Sequence, residues 1–339
     1  MKVLVTGSQG FIGGYLVEEL INQGHSVVGI DNYSKYGRVD KNYDKNPNYQ
    51  FVKGDVKDIE LLKKLLKDCD HVIAGAARIG GISYFHEFAY DLIAENERIT
   101  ASTFDAAIDA FLHHKLKKIT IISSSMVYES TDVYPTPEDI LKKTPPPQST
   151  YGFQKLSCEY FAKGAWEQYK LPYTIVRPFN CVGIGEMRAK SDKQIKSSNV
   201  KLAMSHVIPD LVQKVLKGQK PLHILGQGNQ IRCYTYGGDI AKGIILAMNS
   251  TKAKNEDFNI SSPEETTVLK LAKLIWKKIN GDKPFSYVSD KPFVYDVQKR
   301  IPDTTKAKRI LGFEATTSLD AMLDEVIPWI RKQIELGTI

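Results

Sequence analysis

The stretch VLVTGSQGFIGGYLVEEL, residues 3–20, decides the fold. The apolar run Val3-Leu4-Val5 gives way to Gly7, Gly10 and Gly13, and these lead into Leu16, Val17 and Leu20 at helical spacing. A strand that turns so sharply into a helix needs residues without a Cβ, and the N–H groups exposed at the helix start then face a pyrophosphate. Phe11 and Ile12 sit within that turn and belong to the same candidate site. The spacing is GxxGxxG rather than GxGxxG, and glycine-rich turns also serve as plain connectors, so the surroundings must carry the reading.

The next strand, HSVVGID (residues 25–31), ends on Asp31 and is followed by Asn32. An acidic side chain at this point can accept hydrogen bonds from both ribose hydroxyls and repels a 2′-phosphate, which favours NAD over NADP. Lys35 and Arg38 follow closely and are read as surface residues. After a third strand, GDVKD (residues 54–58) supplies Asp55 and Val56 for the adenine edge, although an Asp here could instead cap the helix beginning near Ile59.

The alternation continues. Residues 50–52, 72–74, 118–122 and 173–176 read as strands, and 15–22, 59–66 and 101–112 as helices. This pattern predicts an α/β fold, a doubly wound parallel sheet covered on both faces, with ligands at the carboxyl ends of the strands. After Asn180 the rhythm breaks. A polar stretch at 186–200 is expected to be a mobile loop; then come a helix over 206–216, a short strand over 223–225, and helices over 239–248, 268–279 and 319–334. The second half therefore reads as a smaller domain covering a site on the first.

Composition narrows the class. The chain has 339 residues, 42% hydrophobic and 25% charged, enough for a substantial core. No run approaches a membrane span and no signal peptide is evident, so we expect a cytosolic protein without membrane partners. Cys69, Cys158, Cys181 and Cys233 lack metal-ligand spacing and read as free thiols; no metal is expected. The net charge of +7 comes from lysines spread along the chain, which argues against nucleic acid and suits a small anionic substrate.

For reacting groups, a Tyr four residues before a Lys shares its face on a helix. The pattern occurs at Tyr49/Lys53, Tyr151/Lys155, Tyr287/Lys291 and Tyr295/Lys299. Only Tyr151/Lys155 has suitable surroundings: it follows the turn-rich TPPPQST (144–150) and stands downstream of ITIISSSMVY (119–128), where a buried strand ends in Ser123, Ser124 and Ser125. Tyrosine is a weak base at neutral pH, but an adjacent ammonium and a cationic nicotinamide favour its phenolate. Tyr151 would take the proton from a sugar hydroxyl, and Ser124 would hold that oxygen. For Ser123 and Ser125 the plain reading, hydroxyls capping a strand end, carries equal weight.

With these residues in view, the chain resembles the extended short-chain dehydrogenase/reductase family, and within it the nucleotide-sugar epimerases and dehydratases. The matching segments are TGSQGFIGGYL (6–16), AGAARIGG (74–81), AENERITAS (94–102), SSSMVY (123–128), YGFQK (151–155), RPFNCVG (177–183), GQGNQIRCYTYGGDIAKG (226–243) and RIPDTTKAKRILGF (300–313). The resemblance implies a Rossmann-type domain over 1–179, joined by about 234–262, that binds NAD. It implies a smaller α/β domain over 180–233 and 263–339 that binds a nucleoside-diphosphate sugar, and a homodimer joined through a four-helix bundle. It also implies that Lys155, Ala76 and Pro178 line the cofactor site, Pro178 beside the nicotinamide. Ser125, Met126 and Asn180 would meet the substrate, and Arg232 and Arg300 its diphosphate, an assignment the guanidinium fork suits. Their alternative is a surface salt bridge.

Met126 bears on the reaction. Two residues past the serine, related dehydratases and decarboxylases carry Glu and GDP-sugar 3,5-epimerases carry Cys; a thioether moves no proton. The expected reaction is therefore 4-epimerisation of a UDP-hexose through a 4-keto sugar. The alternatives are a dehydratase or 5-epimerase using Glu129 as acid or base, a 4-ketosugar reductase, and, outside catalysis, a dinucleotide-sensing or RNA-binding scaffold. AARIGGI (76–82) is similar to GDP-sugar epimerase/reductases and RIPD to decarboxylases.

Overall fold

The structure is a computed structural model describing residues 1–79, 88–186, 206–292 and 297–339. Residues 187–200 of the expected loop, Gly80 and Gly81, and Tyr295 of the fourth Tyr/Lys pair lie outside the described residues.

The strands β1 (Lys2–Thr6), β2 (Ser26–Asp31), β3 (Tyr49–Lys53), β4 (His71–Ala74), β5 (Lys118–Ile122) and β6 (Tyr173–Pro178) alternate with helices α1 (Phe11–Asn22), α2 (Ile59–Leu66), α3 (Ala89–His113) and α4 (Thr150–Tyr169). The short strand β7 (Cys181–Val182) is followed by α5 (Val207–Leu216), β8 (Leu222–Leu225), β9 (Ile231–Cys233), β10 (Thr235–Tyr236) and α6 (Gly237–Asn249). The chain ends with β11 (Glu256–Ile260), β12 (Glu265–Thr267), α7 (Val268–Asn280), β13 (Tyr287–Asp290), β14 (Lys299–Arg300), α8 (Thr305–Leu311) and α9 (Leu319–Glu335).

Seven strands form one sheet in the order β11-β6-β5-β4-β1-β2-β3, every pair parallel. The order reverses direction next to β1, the switch point at which doubly wound sheets bind ligands. Alternate side chains of each strand feed opposite faces. Val3 and Val5 join Leu16, Val17, Ile244 and Phe258 under α1 and α6, whereas Leu4 joins Leu62, Phe104 and Ala162 under α2, α3 and α4. A third core gathers Ile208, Leu211, Leu271, Ile275, Leu323 and Val326 from α5, α7 and α9.

Several elements correct the expectations. The helix expected over 101–112 begins at Ala89, and β11, unforeseen as a strand, extends the sheet beyond β6. Tyr49/Lys53 spans a strand, and Tyr287 lies in a strand that ends just before Lys291, so neither pair shares a helix face. The cap of α2 is Asp58, whose carboxylate accepts from Leu61 N; Asp55 instead accepts from Lys57 N at 2.9 Å and does not cap the helix.

Candidate active site

One cavity of about 880 Å³ runs along the carboxyl edge of the sheet and across to β9 and β14. It brings together every residue singled out above for cofactor and substrate: Gly7, Gly10, Phe11, Ile12, Gly13, Asp31, Asn32, Asp55, Val56, Ala76, Lys155 and Pro178 towards the sheet, with Ser124, Ser125, Met126, Tyr151, Asn180, Arg232 and Arg300.

The glycine turn is built for close approach. Gly7 adopts φ +73, and a Cβ on it would lie 2.9 Å from Ala76 Cα; a Cβ on Gly13 would lie 2.1 Å from the Gly7 carbonyl oxygen. Gly10 precedes α1 without a side-chain cap, and the first turn holds no acidic residue, so the helix start is left for an anion. Asp31 is fixed from both sides: Tyr33 N donates to one carboxylate oxygen at 2.7 Å and Gln9 N to the other at 3.2 Å. Burial pushes its carboxyl up while these amides pull it down, and burial wins. Arg38 pairs with Asp40 on the exposed surface, as a solvent-facing residue should. These features fit NAD.

At the reacting end, Ser149 caps α4 by accepting from Gly152 N at 3.0 Å, and the first turn carries a buried Tyr151. Lys155, one turn on, is buried and donates to the Ile122 carbonyl at 2.9 Å, which ties α4 to the end of β5. The Ser124 hydroxyl accepts from Met126 N at 3.2 Å, leaving its own proton to donate. Met126 packs with Leu92 and Tyr151 in an apolar cluster. Ser123 also lines the cavity, and its hydroxyl donates to the buried Glu159 at 2.6 Å.

Across the cavity, the parallel pairing of β9 and β14 sets Arg300 directly opposite Arg232. Like charges at such a position repel, and an anion between them relieves the cost. Asn180, held at φ 33, donates its side-chain amide to Cys233 O at 3.1 Å and so joins the link between β6 and β7 to β9.

Among the other cavity residues, sequence reasoning passed over two charged pairs. His206 contacts the Glu186 carboxylate, and Lys214 pairs with Asp210 at 2.7 Å. Only the second pair carried a local signal, its i,i+4 spacing on α5.

Comparison with known proteins identifies the family. Residues 3–261 match the model of the NAD dependent epimerase/dehydratase family, and the chain belongs to that family, with NAD as cofactor. It is 30% identical to a UDP-N-acetyl-alpha-D-glucosaminuronate decarboxylase of Bacillus cytotoxicus, covering 98% of each chain. It is also 30% identical to a putative UDP-glucose 4-epimerase of Methanocaldococcus jannaschii, over 97% of this chain and 98% of the other. Among solved structures, a UDP-glucose 4-epimerase from Thermotoga maritima with UDP-glucose matches with a TM-score of 0.81 and 31% identity, over 98% of this chain and 100% of that one. No helix among the described residues is long and apolar enough to cross a membrane.

Proposed function

We propose that the protein is a UDP-hexose 4-epimerase. The observation that carries this reading is the buried Tyr151 one helical turn from Lys155, in one cavity with Ser124 and with a thioether at Met126. Tyr151 removes the proton of the C4 hydroxyl, the Lys155 ammonium one turn on gives electrostatic support, and the Ser124 hydroxyl steadies the oxygen as it becomes a carbonyl. NAD, when bound, supplies the hydride acceptor and donor. The Arg232/Arg300 pair holds the diphosphate while the 4-keto sugar rotates to present its other face.

The carboxylate at Glu129 accepts from Ser149 N at 2.9 Å and is engaged in holding α4, which weighs against its use as a travelling acid or base. Residues 1–179 with about 234–262 form the NAD-binding part of this reading, and 180–233 with 263–339 the sugar-binding part. We further propose a cytoplasmic homodimer: Tyr90 on α3 and Phe153 and Tyr160 on α4 expose large apolar surfaces that a second copy would cover, and the four cysteines are free thiols.

The test is incubation of the purified protein with UDP- and GDP-sugars, with and without added NAD, and analysis by mass and proton NMR. A product of unchanged mass with a new sugar spin system is expected. Loss of water or carbon dioxide would overturn the reading.

A further inference from the structure

The established relatives handle both neutral and acidic sugars, and the structure contains a residue that bears on that choice. Glu129 follows the single helical turn Ser125–Tyr128 at the end of β5, lies on the cavity wall with Ser125, Met126, Ser149 and Tyr151, and is only partly buried. One carboxylate oxygen accepts from Ser149 N at 2.9 Å; Ser149 in turn accepts from Gly152 N, next to Tyr151. Among the described residues Glu129 makes no ion pair. Lys155, the cation on the same helix as Tyr151, donates to a backbone carbonyl, that of Ile122.

We propose that Glu129 is a specificity-determining residue: its carboxylate selects a neutral sugar and rejects a uronic acid in the cavity beside Tyr151. The proposal rests on the UDP-hexose reading and deepens it. Two carboxylates on one partly enclosed site repel each other far more strongly than in bulk water, and rejection by an unpaired like charge is a common route to specificity. A neutral hexose meets no such penalty, and its hydroxyls can donate to the second oxygen of Glu129.

Glu129→Gln separates charge from position, because the amide oxygen can still accept from Ser149 N. The experiment measures the Kd of UDP-glucose and of UDP-glucuronate by calorimetry on the NAD-loaded wild type and on Glu129→Gln, with NMR analysis for epimerised product run beside it. Wild type is expected to bind UDP-glucuronate at least tenfold more weakly than UDP-glucose, and the variant to narrow that gap at least fivefold. Equal affinities in wild type, tighter binding of UDP-glucuronate as Arg78 on the cavity wall would favour, a gap unchanged by Glu129→Gln, or failure to bind either sugar would each overturn the proposal. Discrimination without any 4-epimerised product would instead support the role of Glu129 and sink the epimerase reading.

Discussion

Arg177 and Glu159 form a bidentate ion pair inside the protein. Nε and Nη2 of Arg177 reach the two Glu159 carboxylate oxygens at 2.8 and 2.7 Å, with the side chains 1% and 0% exposed. The pair is closed by further partners: Arg177 donates to the Tyr128 hydroxyl at 2.6 Å and to Asp257 at 2.8 Å, and Ser123 donates to Glu159. Arg177 therefore opens the segment RPFN not as a ligand but as the bolt joining β6 to α4, to the end of β5 and to β11. Removing one partner leaves an uncompensated buried charge. Glu159→Ala should destabilise the fold by about 3–5 kcal/mol in urea unfolding, and Arg177→Met by a similar amount. A change below about 1 kcal/mol would contradict this account.

The same network sets a pH response. Burial alone would raise the Asp257 carboxyl, but Arg177 and Lys306 overcome it and hold it down at about 2. A carboxyl lowered on folding contributes stability that is complete above its unfolded value, near 4, and is lost as pH falls towards 2. Urea midpoints measured from pH 6 to pH 2.5 should fall less steeply in Asp257→Asn than in wild type. Parallel curves would remove Asp257 from the acid response.

In the proposed NAD site, Asp31 would set cofactor choice. Its two oxygens are each steadied by one backbone amide, which leaves lone pairs for ribose hydroxyls. Asp31→Asn should weaken NAD about tenfold to a hundredfold, since hydrogen bonds to a charged acceptor are worth about 1.5–3 kcal/mol, and should reduce the preference over NADP. Fluorescence titration with both dinucleotides checks it; an unchanged ratio would assign selectivity elsewhere.

Tyr15 explains two glycines that local turn rules do not. A Cβ on Gly183 would lie 2.2 Å from the Tyr15 hydroxyl, and one on Gly237 2.5 Å from its ring; Ile184 N donates to that hydroxyl at 2.8 Å. Tyr15 stands on α1, so it clamps the cofactor helix to the segment leading to Glu186. Gly183→Ala should cost about 1–3 kcal/mol through overpacking, and Tyr15→Phe about 1 kcal/mol through the lost bond. If thermal melting ranks Tyr15→Phe as the more damaging, the hydroxyl matters more than the space.

What could be read from sequence was short in range. Gly7, Gly10 and Gly13, the Tyr151/Lys155 pair, and strands whose alternate residues enter two cores all announce themselves within a few positions. Arg232 and Arg300 were legible only through resemblance, because their register across β9 and β14 joins distant segments. Contacts made by tertiary folding left no local trace. Glu159 and Arg177 belong to different elements, Glu129 meets Ser149 across a long turn-rich segment, and Tyr15 meets Gly183 across most of the sheet domain. β11 begins Glu256-Asp257, too polar to read as a strand, and those acids are polar because Lys306 and Arg177 await them.

The reacting pair gives the sharpest test of chemistry. Tyr151 is buried in the first turn of α4, and that turn is held by three interactions independent of its hydroxyl: the Ser149 cap on Gly152, the Glu129 carboxylate on Ser149, and the Lys155 bond to Ile122. Tyr151→Phe removes the proposed acid–base group and leaves these three interactions in place. Turnover should fall by about 10²–10⁴-fold, the usual worth of a positioned proton-transfer group, while NAD remains bound. Lys155→Met is expected to do more, because it also releases α4 from β5 and, in the role proposed for Lys155, takes away a group that would hold the cofactor, so NAD affinity should fall with activity. Rate assays paired with measurement of bound NAD separate the two. Loss of NAD in Tyr151→Phe would mean that the hydroxyl supports the cofactor site rather than the proton transfer.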